Sequence, residues 1–179
     1  MSSKHTSKFL SLVLRHQPAL IGLMLDDAGW TDVDALLAGC ATKGVRLTRA
    51  ELGALVAGSD KQRFALSADG QRIRANQGHS IDVELGLPDA PPPARLYHGT
   101  YPGAVASIRA EGLRKGARHA VHLAADTTTA SKVGMRRGAP VLLVVRADEM
   151  VAAGHRFQVS ANGVWLTEHV PPEFLDFPS

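Results

Sequence analysis

LPDAPPPA, at residues 87–94, is the stretch that decides the organisation of this 179-residue chain. Consecutive prolines can continue neither a helix nor a central strand, and they favour a stiff, extended backbone. Helical hydrophobic patterns dominate before the stretch, and short apolar strands dominate after it. We therefore expect one domain at residues 1–87, a linker at 88–94 and a second domain at 95–179.

The first domain is predicted to hold three helices followed by a β-hairpin. The sequence TRAE at residues 48–51 is a capping box that opens the third helix, and Asp69-Gly70 is a common hairpin turn. The predicted helices lie at residues 7–15, 33–37 and 48–56, and the predicted strands at 64–66 and 72–74. This order is typical of a winged helix, which is a frequent nucleic-acid-binding module.

The second domain is predicted to mix strands and helices in an irregular order. The predicted strands lie at residues 95–98, 121–123, 141–145, 157–159 and 164–166, and the predicted helices at 104–111 and 127–135. Gly112 and Gly138 stand where these helices are expected to end. The irregular order predicts an α+β fold and argues against a doubly wound sheet. The chain has neither a G-x-G-x-x-G fingerprint nor a phosphate-binding P-loop.

The composition is that of an ordinary soluble protein, 45% hydrophobic and 21% charged. No apolar run approaches the roughly 18 residues that span a bilayer, and the first residues lack the core of a signal peptide. A single cysteine, Cys40, excludes an intramolecular disulfide and argues against a cysteine-based metal site. We expect a cytoplasmic protein with no metal and no membrane partner. Its net charge of +3 is compatible with nucleic-acid binding.

Basic residues are clustered within apolar segments. The clusters are LRH at residues 14–16, DKQRF at 60–64 and RHAVHL at 118–123. A half-buried guanidinium is costly without a partner, so three clusters suggest one site for a multiply charged anion. Because arginine offers paired donors and keeps its charge, we expect a phosphate ester, a dinucleotide or both.

Each of these residues also has a simpler interpretation. Arg15 and His16 would complement a helix C-terminus, and Lys61 and Arg63 would lie in a solvated loop. Arg72 and Arg74 alternate along a strand, so they should share one face that contacts phosphate. The run NQGHS at residues 76–80 is either a plain loop or part of a cleft between the domains.

A similar choice applies to two histidines of the second domain. His98, Gly99 and Thr100 place an imidazole and a hydroxyl at a strand end, where glycine would let a ligand approach or simply form a turn. His122 alone would more often be a satisfied core histidine. On a strand next to His98, however, it would face the same cleft.

The chain resembles the RNA 2′-phosphotransferases that use NAD. The matching stretches are residues 7–16, 22–26, 29–30, 60–64, 73–80, 96–100, 121–123, 133–134 and 162–167. They run in order over nearly the whole chain. The resemblance implies an N-terminal winged helix that binds RNA and a C-terminal ADP-ribosyltransferase-like fold that binds NAD as a co-substrate.

The implied activity removes an internal 2′-phosphate from RNA, typically at a tRNA splice junction. The phosphate attacks the ribose of NAD, nicotinamide leaves, and an ADP-ribosylated RNA phosphate forms. The products are RNA with a free 2′-hydroxyl and ADP-ribose 1″,2″-cyclic phosphate. A monomer acting on tRNA-like RNA is expected.

The resemblance also assigns residues. It implies a catalytic group of Arg15, His16, Arg63 and Arg118. It implies NAD contacts by His98, Gly99, Thr100, His122 and Val164, the last on a late strand where many ADP-ribosyltransferases carry a glutamate. Contacts with the substrate phosphate or RNA are expected from Lys61, Arg72, Arg74, Gln77 and His79. One departure is Ala120, which stands where the family pattern has a histidine, while His119 should point to the opposite face of the strand.

Two other functions remain open at this point. An ADP-ribosyltransferase acting on an RNA end, a protein or a small molecule would share the NAD site but would not need Arg15 and His16. A non-enzymatic winged-helix regulator would bind duplex nucleic acid. The helix before the hairpin, however, has almost no side chains that read bases.

Overall fold

The structure is a computed structural model that describes residues 3–59, 61–81, 83, 85–135 and 138–178. The chain forms two compact units, Met1–Gly86 and Leu87–Ser179. Both combine helices with small antiparallel sheets, so the expected α+β class is confirmed. In the part of the chain just defined, no helix has the length and apolar character to cross a membrane.

Unit 1 contains three helices and three short strands. The helices are α1 (Ser3–Arg15), α2 (Val33–Thr42) and α3 (Arg49–Ala57), and a 3₁₀ helix spans Pro18–Ile21. The strands are β1 (Thr31–Asp32), β2 (Phe64–Leu66) and β3 (Arg72–Ala75), with β3 between the other two in one antiparallel sheet. The predicted hairpin is therefore present, with Phe64 opposite Ala75 and Leu66 opposite Ile73.

Local capping and a shared apolar core explain these elements. The Asp32 carboxylate accepts a hydrogen bond from the Ala35 amide at 2.9 Å, and the predicted Thr48–Glu51 capping box is formed. The core packs α1 against α2 and β3. Its fully buried side chains include Leu10, Val13, Leu14, Leu36, Cys40 and Ile73. Burial raises the pKa of the Cys40 thiol to about 11, so this cysteine packs as an apolar side chain.

Unit 2 contains three helices and eight strands among its described residues. The helices are α4 (Pro102–Glu111), α5 (Thr127–Gly134) and α6 (Ala147–Ala152). The strands are β4 (Arg95–Thr100), β5 (Leu113–Arg114), β6 (Val121–Leu123), β7 (Val141–Arg146), β8 (Gln158–Val159), β9 (Trp165–Thr167), β10 (His169–Val170) and β11 (Leu175–Asp176).

These strands form three small antiparallel sheets, with orders β11-β7-β4, β6-β9-β8 and β10-β5. The first two sheets meet where Tyr97 of β4 and Ala124, just after β6, exchange two backbone hydrogen bonds of 2.9 and 2.8 Å. This junction places His98 and His122 on neighbouring strands. The core beneath it includes Leu96, Leu123, Leu143, Val145, Met150 and Phe157.

The proline-rich stretch begins within unit 2. The Leu87 carbonyl accepts a hydrogen bond from the Gln158 side chain at 2.8 Å, and the Ala90 amide donates to the Phe157 carbonyl at 2.8 Å. The backbones of Asp89 and Gln158 also form an isolated antiparallel β-bridge. Residues 87–90 are therefore held against β8, and a stiff backbone suits an edge contact of this kind.

Several sequence expectations were wrong in detail. Helix α1 starts at Ser3 and α2 extends to Thr42, because their apolar patterns continue beyond the predicted bounds. The sequence predicts a short extended segment at Gly29 and Trp30, but these residues lie in a turn, since the Asp26 carboxylate accepts hydrogen bonds from the Ala28 and Trp30 amides. Gly138 does not cap α5, which ends at Gly134 with Met135 as its C-cap.

Two further corrections concern residues near the predicted site. Strand β6 begins at Val121, so His119 lies in a bend and has no strand face to occupy. Strand β9 begins at Trp165, so Val164 precedes it and closes a tight turn in which the Ser160 amide donates to the Val164 carbonyl at 2.9 Å.

Candidate active-site residues

Arg15 stands at the C-terminal end of α1 and is half-buried. Its Nη2 atom donates to the Arg63 carbonyl at 3.4 Å, and its guanidinium carbon lies 6.0 Å from the centre of the Phe64 ring. A Cβ atom on Gly78 would lie 3.6 Å from the Arg15 Nη1 atom. Two of the basic clusters seen in the sequence, at residues 14–16 and 61–64, therefore meet in unit 1.

His16 follows at the exposed end of the same helix. Its Nδ1 atom lies 2.8 Å from the Ser80 hydroxyl oxygen, and the Ser80 amide donates to the Arg15 carbonyl at 2.9 Å. Ser80 thus contacts both predicted catalytic residues of the helix. The hydroxyl fixes one edge of the imidazole and directs the other edge, Nε2, away from Ser80.

Lys61 and Arg63 flank a strained residue. Gln62 has a φ angle of 38°, a left-handed conformation that side chains other than glycine adopt at a cost. The Asn76 side-chain amide donates to the Gln62 carbonyl at 2.5 Å, and the Asn76 backbone amide donates to the Arg63 carbonyl at 3.0 Å. Arg63 is half-buried, and its guanidinium makes no hydrogen bond or ion pair within the described residues. A half-buried cation of this kind suits an anionic ligand.

Arg72 and Arg74 share one face of β3, as predicted, and both contact the turn at residues 26–30. Arg72 forms an ion pair with Asp26 at 2.6 Å. The guanidinium of Arg74 lies 4.7 Å from the centre of the Trp30 ring and donates to the Ala28 carbonyl at 3.4 Å. These contacts give both arginines a role in holding unit 1 together.

Asp26 shows the effect of this arrangement. Burial raises the pKa of its carboxyl, but hydrogen bonds from Arg72, Trp30 and Ala28 outweigh burial, and the pKa falls below its usual value. The carboxylate therefore stays ionised and keeps the turn closed.

The other predicted RNA contacts differ in accessibility. Lys61 is exposed and Gln77 is half-buried. His79 is only 1% exposed, and its Nε2 atom would lie 3.3 Å from a Cβ atom on Gly29. The imidazole of His79 therefore packs beneath the turn at Gly29, which supports a structural role instead of a direct contact with RNA.

In unit 2, His98 and His122 are joined through a hydrogen bond. The Nδ1 atom of His98 lies 3.1 Å from the His122 carbonyl oxygen, and because a carbonyl only accepts, Nδ1 carries the proton. Burial lowers the pKa of His98, and the nearby positive charge of Arg118 lowers it further, against the raising effect of this hydrogen bond. At neutral pH the ring is therefore neutral, with Nε2 available as an acceptor.

Gly99 is required by packing. A Cβ atom on Gly99 would lie 1.8 Å from the Ala130 carbonyl oxygen of α5 and 2.9 Å from the Gly134 amide nitrogen. Only glycine lets α5 approach β4 this closely. The contact places the C-terminal end of α5 beside Thr100, since a Cβ atom on Gly134 would lie 2.9 Å from the Thr100 carbonyl oxygen. Thr100 is 7% exposed at the end of β4.

Arg118 lies in the exposed bend before β6, where its amide donates to the Lys115 carbonyl at 3.1 Å. The positive charge of Arg118 contributes to the lowered pKa of His98. In unit 2 the structure brings together His98 and His122 through their hydrogen bond. Val164 is half-buried in the turn before β9.

The sequence was compared with known proteins. Residues 1–169 match the family model described as RNA 2′-phosphotransferase, Tpt1/KptA family. A probable RNA 2′-phosphotransferase of Pseudomonas aeruginosa is 59% identical over 171 residues, covering 95% of this chain and 94% of the relative. One from Streptomyces coelicolor is 57% identical, with 97% and 94% coverage, and one from Rhodopirellula baltica is 53% identical, with 97% and 95% coverage.

The chain thus belongs to the RNA 2′-phosphotransferase family. The resemblance inferred from the sequence is confirmed, and with it the assignment of the protein as a transferase enzyme.

Three residues beside the predicted site were given no role from the sequence. Gln62, Asn76 and Ser80 lie inside matching stretches, and only the polar run at 76–80 marked two of them. Their importance comes from contacts with residues distant in sequence, such as the contact between His16 and Ser80, 64 positions apart. The polar run at 76–80 was the one available signal.

Proposed function

We propose that this protein removes an internal 2′-phosphate from RNA by transferring it to NAD, with release of nicotinamide and ADP-ribose 1″,2″-cyclic phosphate. The observation that supports this most directly is the grouping of Arg15, His16 and Arg63 in unit 1. Their side chains offer several hydrogen-bond donors to a phosphate. Family membership supplies the reaction class.

Unit 1 is proposed to bind the 2′-phosphate. The guanidiniums of Arg15 and Arg63 would orient its oxygens and offset the charge that builds up during transfer at phosphorus. A 2′-phosphate is already an anionic nucleophile, so its attack on the ribose carbon needs no general base. His16 would orient the phosphate or carry a proton in the second step, when a ribose hydroxyl attacks phosphorus. Lys61, exposed beside Arg63, would add a further phosphate contact.

Unit 2 is proposed to bind NAD. The neutral His98 ring offers Nε2 as an acceptor, which fits a sugar hydroxyl donor. Arg118, whose positive charge lowers the pKa of His98, is proposed as the fourth catalytic residue, together with Arg15, His16 and Arg63. His122 holds the His98 ring through its carbonyl. Thr100 and the C-terminal end of α5 border the same strand end. The absence of a carboxylate at Val164 suits a phosphate dianion, which a glutamate would repel.

We further propose a winged helix for unit 1 and an ADP-ribosyltransferase-like fold for unit 2. The three helices followed by the β2–β3 hairpin support the first assignment, and the two small sheets that meet at β4 and β6 support the second. A monomer in the cytoplasm is the setting proposed for this activity, in line with a single, buried cysteine.

The test uses a short RNA with one internal 2′-phosphate, incubated with the protein with and without NAD. We expect loss of the phosphate only with NAD, and equal amounts of nicotinamide and dephosphorylated RNA. The same RNA with a 2′-hydroxyl should release no nicotinamide. A stable ADP-ribosylated RNA with no cyclic phosphate would overturn the proposal and favour an ADP-ribosyltransferase.

A further inference from the structure

One short segment touches each of the three proposed phosphate-binding residues of unit 1. The segment is residues 76–80, which joins β3 to the end of the unit and reads NQGHS. At its start Asn76 contacts the backbone of Gln62 and Arg63. In its middle Gly78 lies against the Arg15 guanidinium, and at its end Ser80 contacts His16.

The contact at the start of the segment holds a strained backbone. Asn76 is 5% exposed, and its side-chain amide donates to the Gln62 carbonyl at 2.5 Å. The Gln62 φ angle of 38° persists only where surrounding contacts impose it. The amide of Gln62 is held from the other side by the Ser59 carbonyl at 2.8 Å. The strain therefore fixes the directions in which Lys61 and Arg63 leave the turn.

The middle of the segment packs against Arg15. Gly78 has a φ angle of 86°, which favours glycine, and a Cβ atom there would lie in ordinary van der Waals contact with three atoms of the Arg15 side chain, at 3.6–3.8 Å. At the end, Ser80 contacts His16 with its hydroxyl and Arg15 with its amide. The neighbouring His79, 1% exposed, anchors the segment in the interior of the unit.

We propose that residues 76–80 form a positioning segment, in which Asn76 aims Arg63 through Gln62 and Ser80 aims the His16 imidazole. This inference rests on the proposed function, because it concerns groups assigned there to the 2′-phosphate. Asn76 and Ser80 themselves are positioning residues and need not touch the substrate. A positioning role explains why the polar residues 76–80 pack against the strained backbone of Gln62.

The test of Ser80 uses Ser80→Ala and Ser80→Thr in the full chain. Loss of the hydroxyl removes the contact that Ser80 makes with the His16 ring, so Ser80→Ala should lower kcat about tenfold and leave the KM for NAD within about twofold. Ser80→Thr keeps a hydroxyl and should restore most of the rate. The matched control is Ser107→Ala on the exposed side of α4, which should behave as wild type.

The test of the strained turn uses Gln62→Gly. Glycine adopts a positive φ angle freely, so the melting temperature should stay unchanged or rise. A freer turn aims Lys61 and Arg63 less well, so kcat should fall about tenfold. If Gln62 had only a structural role, Gln62→Gly would lower kcat and the melting temperature together. If the variant kept both the wild-type kcat and the wild-type melting temperature, the strained turn would have no positioning role.

The outcomes separate this inference from the proposed function. If wild type transfers no 2′-phosphate to NAD, the proposed function fails and the inference fails with it. If wild type is active while Ser80→Ala and Gln62→Gly retain its kcat, only the positioning segment is overturned. Loss of rate in Ser80→Thr equal to that in Ser80→Ala would also count against it.

Discussion

Among the single residues of the proposed site, Arg63 allows the most direct test by substitution. Its guanidinium is half-buried, follows a strained turn and has no ion-pair partner within the described residues. A planar fork binds two phosphate oxygens at once, whereas an ammonium is a single point charge. The proposal therefore depends on the shape of the side chain as well as on its charge.

We expect Arg63→Ala to lower the single-turnover rate of 2′-phosphate transfer roughly 100-fold. Arg63→Lys should recover little of that loss, because charge alone does not orient the phosphate. The melting temperature should remain close to that of wild type. Arg46→Ala, an exposed arginine of the same unit, is the control and should keep the wild-type rate. Full activity of Arg63→Lys would show that a positive charge at this position is sufficient and that the planar guanidinium is not required.

His98 makes the stability of the protein depend on pH. Burial and Arg118 lower its pKa below the usual value of 6.5, so between the two values the unfolded chain binds a proton that the folded chain does not. The free energy of unfolding should therefore decrease as the pH falls below about 6.5, and this contribution should level off at the folded pKa.

Denaturant unfolding at pH 7.5 and at pH 5.5 would measure this effect. We expect His98→Gln to lose less stability than wild type between the two pH values, because glutamine does not titrate and its amide can still donate to the His122 carbonyl. An equal loss in both proteins would show that His98 is not held neutral. The difference between the two proteins cancels the contribution of the other histidines.

At the scale of elements, α5 and β4 depend on a glycine contact. A Cβ atom at Gly99 would lie 1.8 Å from backbone oxygen, a distance that requires the helix to move. Overpacking of this kind costs about 1–3 kcal/mol or more. Since β4 also carries His98 and Thr100, movement of the helix should disturb the proposed NAD site.

We expect Gly99→Ala to lower the free energy of unfolding by at least about 2 kcal/mol and to weaken NAD binding. The matched control is Gly53→Ala inside α3, where a Cβ atom would meet nothing within 4 Å. Helix propensity predicts that this control raises stability by about 0.5–1 kcal/mol. A decrease in the free energy of unfolding for Gly99→Ala together with an increase for Gly53→Ala would establish the contact. No change in either variant would contradict it.

The elements also show what the sequence predicts and what it does not. The capping box at Thr48 and the hairpin turn at Gly70 are local signals, and the elements that they mark are present. Strands β5, β10 and β11 have two residues each, too few for a period, and they exist only because distant partners pair with them.

The same distinction applies to the site. Arg15, His16, His98 and His122 stand in short motifs that pick them out. The surroundings of Arg72, Arg74 and His79 were not predictable, because an arginine paired with Asp26 and a histidine beneath Gly29 have the same local sequence as free ones. Basic residues in a strand predict a face, and only the fold decides what that face contacts.

At the scale of the whole molecule, each unit has its own hydrophobic core. Residues 87–179 include every side chain proposed to bind NAD, and the proline-rich stretch is hydrogen-bonded to β8 within this unit. We therefore expect residues 87–179 to fold cooperatively when expressed alone and to bind NAD.

Thermal unfolding of this fragment would test the expectation. NAD at about 100 times its Kd should stabilise the fragment by about 2.7 kcal/mol, which raises the midpoint by roughly 10–20 °C. The fragment should transfer no 2′-phosphate, since Arg15, His16 and Arg63 are missing. A cooperative transition that NAD does not move would contradict the assignment of the NAD contacts to unit 2.

The central claim is that the phosphorus leaves the RNA and is attached to the ADP-ribose part of NAD. The most direct measurement follows an RNA whose internal 2′-phosphate carries a radioactive label, in a single turnover with excess enzyme and NAD. The account predicts that all released label appears in ADP-ribose 1″,2″-cyclic phosphate, with one nicotinamide formed for each phosphate lost. Label released as inorganic phosphate without NAD, or label that stays on the RNA while nicotinamide is formed, would contradict it.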